Sequence, residues 1–123
     1  VELRKTFTAA MCNELFYRSR SYHNDKAASK ALGFGDTVIG GRMTLSCVTE
    51  LLTRHFGRGF YLGGRLDVKF TNVLWPNEPF TTRGIITGRR VEGGQTRADV
   101  TVFCEKADGT KIIVANASAL EGC

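Results

Sequence analysis

His23 and the pair Gly40-Gly41 are the residues of this chain whose types and placement best suit chemistry. Histidine takes up and releases a proton near neutral pH, so His23 is a candidate base; a polar loop residue is the plainer reading. Gly40 and Gly41 open a long amphipathic stretch, and the first N–H groups of a helix have no intrahelical acceptor. Glycine lets a ligand's carbonyl come close to those groups. The pair is therefore a candidate oxyanion hole, in which N–H groups and the helix dipole stabilise charge developing on oxygen, or simply a tight entry to a buried helix. Other chemistries find less support. The run from Gly33 to Gly40, GFGDTVIG, has no strong strand before it and a misplaced third glycine for a dinucleotide loop. His23 and His55 lack a cysteine or histidine at ligand spacing, so no metal is expected. His55 reads as a helix-end residue and Trp75 as a partly buried anchor.

The elements that must position these residues follow from periodicity. Residues 3 to 7 suit a short strand, and Thr8 could cap a helix to about Tyr17, with Met11, Leu15 and Phe16 at helical spacing. Asp25 is a plausible N-cap for a short helix ending near Leu32, with Gly33 as its terminator. From Gly41 to about Phe56, the residues Met43, Leu45, Cys47, Val48, Leu51, Leu52 and Phe56 cover a wide arc, which predicts a mostly buried helix. Gly57 and Gly59 should end it and lead into strands. In GGRLDVKFTN, Leu66, Val68 and Phe70 alternate with Arg65, Asp67, Lys69 and Thr71, the pattern of a strand with one wet face. Further strands are expected at about 79–91, 96–106 and 110–120, separated by turns at Trp75-Pro76-Asn77, Glu92-Gly93-Gly94 and Ala107-Asp108-Gly109. One long helix followed by antiparallel strands predicts an α+β domain whose sheet wraps the helix.

The length of 123 residues fits one domain over residues 1–123. The longest apolar runs are too short to cross a bilayer, and the N-terminal residues lack a signal peptide's apolar centre, so a soluble, cytoplasmic protein is expected. Cys12, Cys47, Cys104 and Cys123 form no C-x-x-C pair, and Cys47 and Cys104 sit among Leu, Val and Phe as core residues would, which suits a reducing compartment. Asn116-Ala117-Ser118 matches the glycosylation triplet by chance on this reading. The net charge of +5 favours an anionic partner or plain solubility. Nucleic acid is not expected, because the basic residues are scattered and no aromatics interleave with a basic stripe.

Five segments occur together in order: His23-Asn24-Asp25, Ala31-Leu32-Gly33-Phe34, Val38-Ile39-Gly40-Gly41, Tyr61-Leu62-Gly63-Gly64 and Leu66-Asp67-Val68-Lys69-Phe70. With them the chain resembles MaoC-like (R)-specific enoyl-CoA hydratases and dehydratases, from about Leu3 to Leu120. The resemblance implies a single hot-dog fold and places His23 on the family's histidine. The family's aspartate is missing: Arg18 stands at its position, Arg20 and Ser21 at the Asn-Pro positions, and Gly40 where a histidine is usual. Ser46 fits the small polar residue common at its place, and Arg42 stands where Met is common.

The resemblance implies a hydro-lyase acting on an enoyl-CoA or 3-hydroxyacyl-CoA type thioester. Its catalytic set would be His23, Gly41 and Gly40, with Asp25 either fixing the His23 tautomer or capping its helix. Arg18, Arg20 and Arg42, with Ser46, would bind the substrate, since guanidinium groups grip phosphates and carboxylates bidentately. No cofactor is implied beyond coenzyme A or an acyl carrier as part of the substrate. Two alternatives remain open: a non-catalytic acyl-thioester-binding subunit, which follows from the lost aspartate, and an acyl-CoA thioesterase, for which Asp36 is the carboxylate nearest the helix start. Hot-dog domains commonly pair edge to edge, so a homodimer or a pairing with another hot-dog subunit is expected.

Overall fold

A computed structural model describes residues 2–11, 23 and 25–122. The elements are β1 (Glu2–Thr6), α1 (Lys26–Ala31), α2 (Gly41–Phe56), α3 (Arg58–Gly63), β2 (Arg65–Phe70), β3 (Pro79–Glu92), β4 (Gln95–Lys106) and β5 (Lys111–Glu121). Residues 9–11 are helical, and the Met11 N–H donates to Thr8 Oγ1 at 3.2 Å, the cap expected there. The strands form one antiparallel sheet in the order β1-β3-β4-β5-β2, so β1 and β2 are its edges.

Helix α2 spans the residues its periodicity predicts. Its buried face, Met43, Cys47, Val48, Leu51 and Leu52, packs against the inward-facing Val100, Val102, Cys104, Ile113, Ala115 and Ala117 of β4 and β5. The helix fills the concave side of the sheet because these side chains recur at helical spacing on one partner and at every second residue on the other. Cys47 and Cys104 are free and buried in this core. Burial raises the thiol of Cys47 above its ordinary range and pushes that of Cys104 up to about 11.

The expectation that Gly57 and Gly59 lead directly into strands is corrected by α3, a six-residue helix following α2. Gly57 has φ +58 and breaks α2 by turning the chain, which then resumes helix at Arg58. Gly59 is buried against the backbone of Leu120, where a methyl group would not fit. Its glycine therefore serves packing within a helix rather than a turn.

Candidate active site

The extended segment 37–40 enters α2 and is pinned on both sides. The Ile39 N–H donates to the Leu74 carbonyl at 2.9 Å, which ties the segment to the loop after β2. The Val38 carbonyl lies 2.7 Å from His23 Nδ1. A carbonyl can only accept, so Nδ1 carries the proton and Nε2 is left as the basic nitrogen. The partner that sets the His23 tautomer is thus a backbone carbonyl, and Asp25 is found in the other role weighed for it. One Asp25 carboxylate oxygen accepts the Ala28 N–H at 2.9 Å and caps α1. The spacing that suits a cap, a short acceptor three residues before its donor, places that oxygen on the helix end.

His23 and Gly41 line one cavity of about 330 Å³, together with Phe34, Val38, Ile39, Thr44, Phe70, Asn72 and the apolar Val73, Leu74 and Ile112. Its wall is apolar apart from His23, Thr44 and Asn72. The Thr44 hydroxyl donates to the Gly41 carbonyl at 3.1 Å, and the Asn72 amide nitrogen donates to the Lys111 carbonyl at 2.7 Å. Asn72 Oδ1 is thereby oriented as the acceptor of that side chain at the rim. Gly40 is the helix N-cap, and its carbonyl accepts the Met43 N–H at 2.9 Å. Gly41 supplies the N–H at the head of α2, and no acceptor for it is found among the described residues. Of the glycine pair, Gly41 faces the cavity; Gly40 is buried and does not line it.

Asn72 belongs to no motif, and Phe70 enters only as the last residue of the segment Leu66-Asp67-Val68-Lys69-Phe70. Phe70 was readable as an inward-facing strand residue, yet it is 54% exposed. Its ring lies over the start of α2, so close that a Cβ on Gly41 would sit 3.0 Å from Cε1. Glycine at 41 is what keeps that passage open. The period-two pattern could have flagged Phe70 as the last apolar residue of its strand, beyond the reach of the helix's buried face.

The proposed substrate-binding residues divide. Arg18 and Arg20 lie outside the described residues. Arg42 is exposed in the first turn of α2, beside Gly41 but outside the cavity lining. Ser46 is exposed and does not line the cavity, with its hydroxyl donating to the Met43 carbonyl at 2.5 Å. The physical reason is helical phase: the buried face runs through positions 43, 44, 47 and 48, and residue 46 falls beside it. Asp36, the carboxylate considered for thioester hydrolysis, accepts the Thr37 N–H at 2.7 Å and faces Lys26 at 3.9 Å rather than the cavity. Among the described residues no group of three His, Cys, Asp or Glu is placed to hold a metal ion, and no helix is long and apolar enough to cross a membrane.

No family model matches the chain, and no curated protein does. Solved structures do. The chain is similar to an (R)-hydratase from A. caviae involved in PHA biosynthesis, at 18% identity and TM-score 0.78, over 98% of this chain and 92% of that one. It is equally similar in fold to a MaoC-like dehydratase from Rhodospirillum rubrum, at 14% identity and TM-score 0.78, over 98% and 87% of the two chains. A subunit of the ChsH1-ChsH2 complex from Mycobacterium tuberculosis gives 14% identity and TM-score 0.78, over 98% and 93%. The five-stranded antiparallel sheet around α2 is therefore a hot-dog fold, the fold of these (R)-hydratases and MaoC-like dehydratases.

Proposed function

We propose that this protein is an acyl-thioester hydro-lyase that adds water to an enoyl thioester, or removes it from the 3-hydroxyacyl product. The observation carrying this reading is the hydrogen bond between His23 Nδ1 and the Val38 carbonyl, which fixes the tautomer of a histidine that lines the cavity shared with the head of α2. In the proposed reaction Nε2 takes a proton from water as its oxygen bonds to the β-carbon. The C=C electron pair moves toward the thioester carbonyl, whose oxygen is held by the Gly41 N–H and the positive end of the helix. Collapse of that enolate takes a proton at the α-carbon. His23, protonated in the first step, is the titratable side chain lining the cavity that can return it. Water is added across the double bond and the base is regenerated, so no bound cofactor is needed.

The apolar wall suits an acyl chain, and Asn72 at the rim suits an amide of the thioester arm. Arg18, Arg20 and Arg42 are proposed to meet anionic parts of the carrier outside the cavity. Similar structures include the ChsH1-ChsH2 complex and a HadBC 3R-hydroxyacyl-ACP dehydratase complex. By that likeness this chain is proposed to act as a homodimer or beside another hot-dog subunit. A second reading, an acyl-thioester binder without turnover, is favoured by one observation: no carboxylate lines the cavity among the described residues. The same observation weighs against a thioesterase. Incubation with crotonyl-CoA, following enoyl absorbance and free thiol, decides among them. Loss of the double bond is expected; release of thiol means a thioesterase, and binding without either change means the binder.

A further inference from the structure

Two peptide planes of the segment that leads into α2 are held on both sides. At the first, the Asp36 carbonyl accepts the Ser29 hydroxyl, and the Thr37 N–H donates to the Asp36 carboxylate at 2.7 Å. At the second, the Val38 carbonyl accepts from His23 Nδ1 at 2.7 Å, and the Ile39 N–H donates to the Leu74 carbonyl at 2.9 Å. The two accepting carbonyls are two residues apart. Their donors belong to one helix and its lead-in, since His23 stands just before the Asp25 cap of α1 and Ser29 lies within α1. Helix α1 is thereby docked on the segment at two points, Ser29 on Asp36 and His23 on Val38.

Ser29 is the stronger anchor of the two. Of the six residues of α1 it is the buried one, with no exposed surface. Its carbonyl also accepts the Leu32 and Phe34 N–H groups, each at 3.1 Å, so it holds the turn after the helix as well. Hydrophobic burial cannot seat this helix, because KAASKA offers no large apolar side chain. The hydroxyl does so instead, and in a dry site both it and the carbonyl it serves are costly to leave unpaired.

We propose that Ser29 is a positioning residue for His23: by seating α1 on Asp36 it sets the approach of His23 to the Val38 carbonyl and so keeps the ring proton on Nδ1. This rests on the hydration reading above and adds to it a residue that does not line the cavity. A hydrogen-bond partner on one ring nitrogen fixes the tautomer of a histidine, and whatever fixes that partner acts at second hand. Without the Ser29 anchor, the contact between His23 and Val38 must hold α1 by itself, and the ring exchanges the carbonyl for water. The fraction of molecules whose Nε2 can take a proton then falls, and turnover falls with it.

Nitrogen NMR of isotope-labelled histidine rings, with no substrate and at a pH where the ring is neutral, tests this apart from any activity. In the unsubstituted protein the His23 proton is expected on Nδ1. In Ser29→Ala the signals should move toward a mixture with the proton on Nε2, and kcat on crotonyl-CoA should fall about fivefold with little change in KM. Ser29→Cys keeps a weak donor of similar size and should fall between the two. Cys104→Ala, which loosens the core elsewhere, should leave the His23 signals in place. If Ser29→Ala does not fold, Ser29→Cys carries the test, because the shift toward Nε2 must appear there too. An unchanged tautomer in the folded Ser29 variant overturns the proposal and leaves hydration standing. An equal shift in Cys104→Ala also overturns it, by tracing the tautomer to stability at large. A shifted tautomer in a protein that hydrates no enoyl thioester upholds the placement of the ring by Ser29 and overturns hydration instead.

Discussion

The two ends of β2 have opposite characters. At the Arg65 end, charges answer one another within the chain. Glu92 accepts hydrogen bonds from Arg65 at 2.8 Å and Arg90 at 3.4 Å and lies 3.4 Å from Arg97 Nε without a hydrogen bond, while Arg90 also reaches Asp99 and Arg89 reaches Glu121. Hydrogen bonding from Arg65 and its charge neighbours hold the Glu92 carboxyl below its ordinary range. Arg97 is only 5% exposed and donates to the Gly63 carbonyl at 2.7 Å and to Ser118 Oγ at 3.0 Å, fastening α3 to the sheet. At the Phe70 end charge is scarce. His23 and Gly41, the first residue of α2, line a mostly apolar cavity instead. Thus the visible concentration of arginine marks a structural joint, and the charge-poor end carries the mostly apolar cavity.

The sharpest way to break that contrast is His23→Ala. Turnover of an enoyl thioester should fall by about 10²-fold or more, the scale of an acid–base residue, with little change in melting temperature because His23 lies outside the core cluster. Unchanged turnover would remove His23 from the chemistry. Equal loss of stability would make it a structural group like Arg97.

Arg97→Met is the mirror experiment. It retains much of the buried stem but leaves the Gly63 carbonyl and Ser118 without their charged donor, which should cost about 2 kcal/mol of stability. Turnover per folded molecule should be preserved, since the joint is at the far end of the strand. Chemical denaturation beside initial rates reads both. Lost activity without lost stability would mean that the arginine-rich end also serves the substrate.

How the sequence foretold these two ends is instructive. Helix α2 was legible to its terminal residues because glycines bracket a run whose apolar positions follow one helical face. The cap at Asp25 and the strands from Pro79 onward were legible for similar local reasons. Helix α3 was not, because RGFYLG is glycine-rich and its packing against Leu120 is made by residues far away in the chain. His23 was legible through the motif it heads, but its true partner was hidden: a carbonyl is present at every residue, and only the path of segment 37–40 singles out Val38. Matching a motif fixed the positions of Ser46 and Arg42 along α2 but not which way their side chains face, and neither lines the cavity.

Gly41→Ala sharpens the contrast at smaller scale. Alanine favours helix over glycine, so stability should hold or rise slightly. The new methyl group meets the Phe70 ring at 3.0 Å and crowds the N–H that the ligand's oxygen must reach. The expected result is about a tenfold fall in kcat/KM, on the scale of losing part of an oxyanion contact. A companion Phe70→Leu change should recover part of it by making room, and failure to do so would shift the cause from crowding to the helix end itself.

The smallest effect concerns the core between the two ends. Cys104 is wholly buried, 3.2 Å from the Thr82 hydroxyl, and burial raises its thiol from 9.0 to about 11. In the unfolded chain the thiol ionises near its ordinary value, while the folded protein keeps the proton until higher pH. Unfolding therefore releases a proton in that window, and stability falls as pH rises from about 9 to about 11, with no such contribution below it. Cys104→Ala removes the thiol and leaves a small void, so at neutral pH it should be less stable by about 1 kcal/mol. The gap between wild type and variant should then narrow as pH climbs through that range, read as the difference of two urea midpoints at each pH. A constant gap would mean that the thiol ionises as readily inside as outside, and that this part of the core admits water despite its burial.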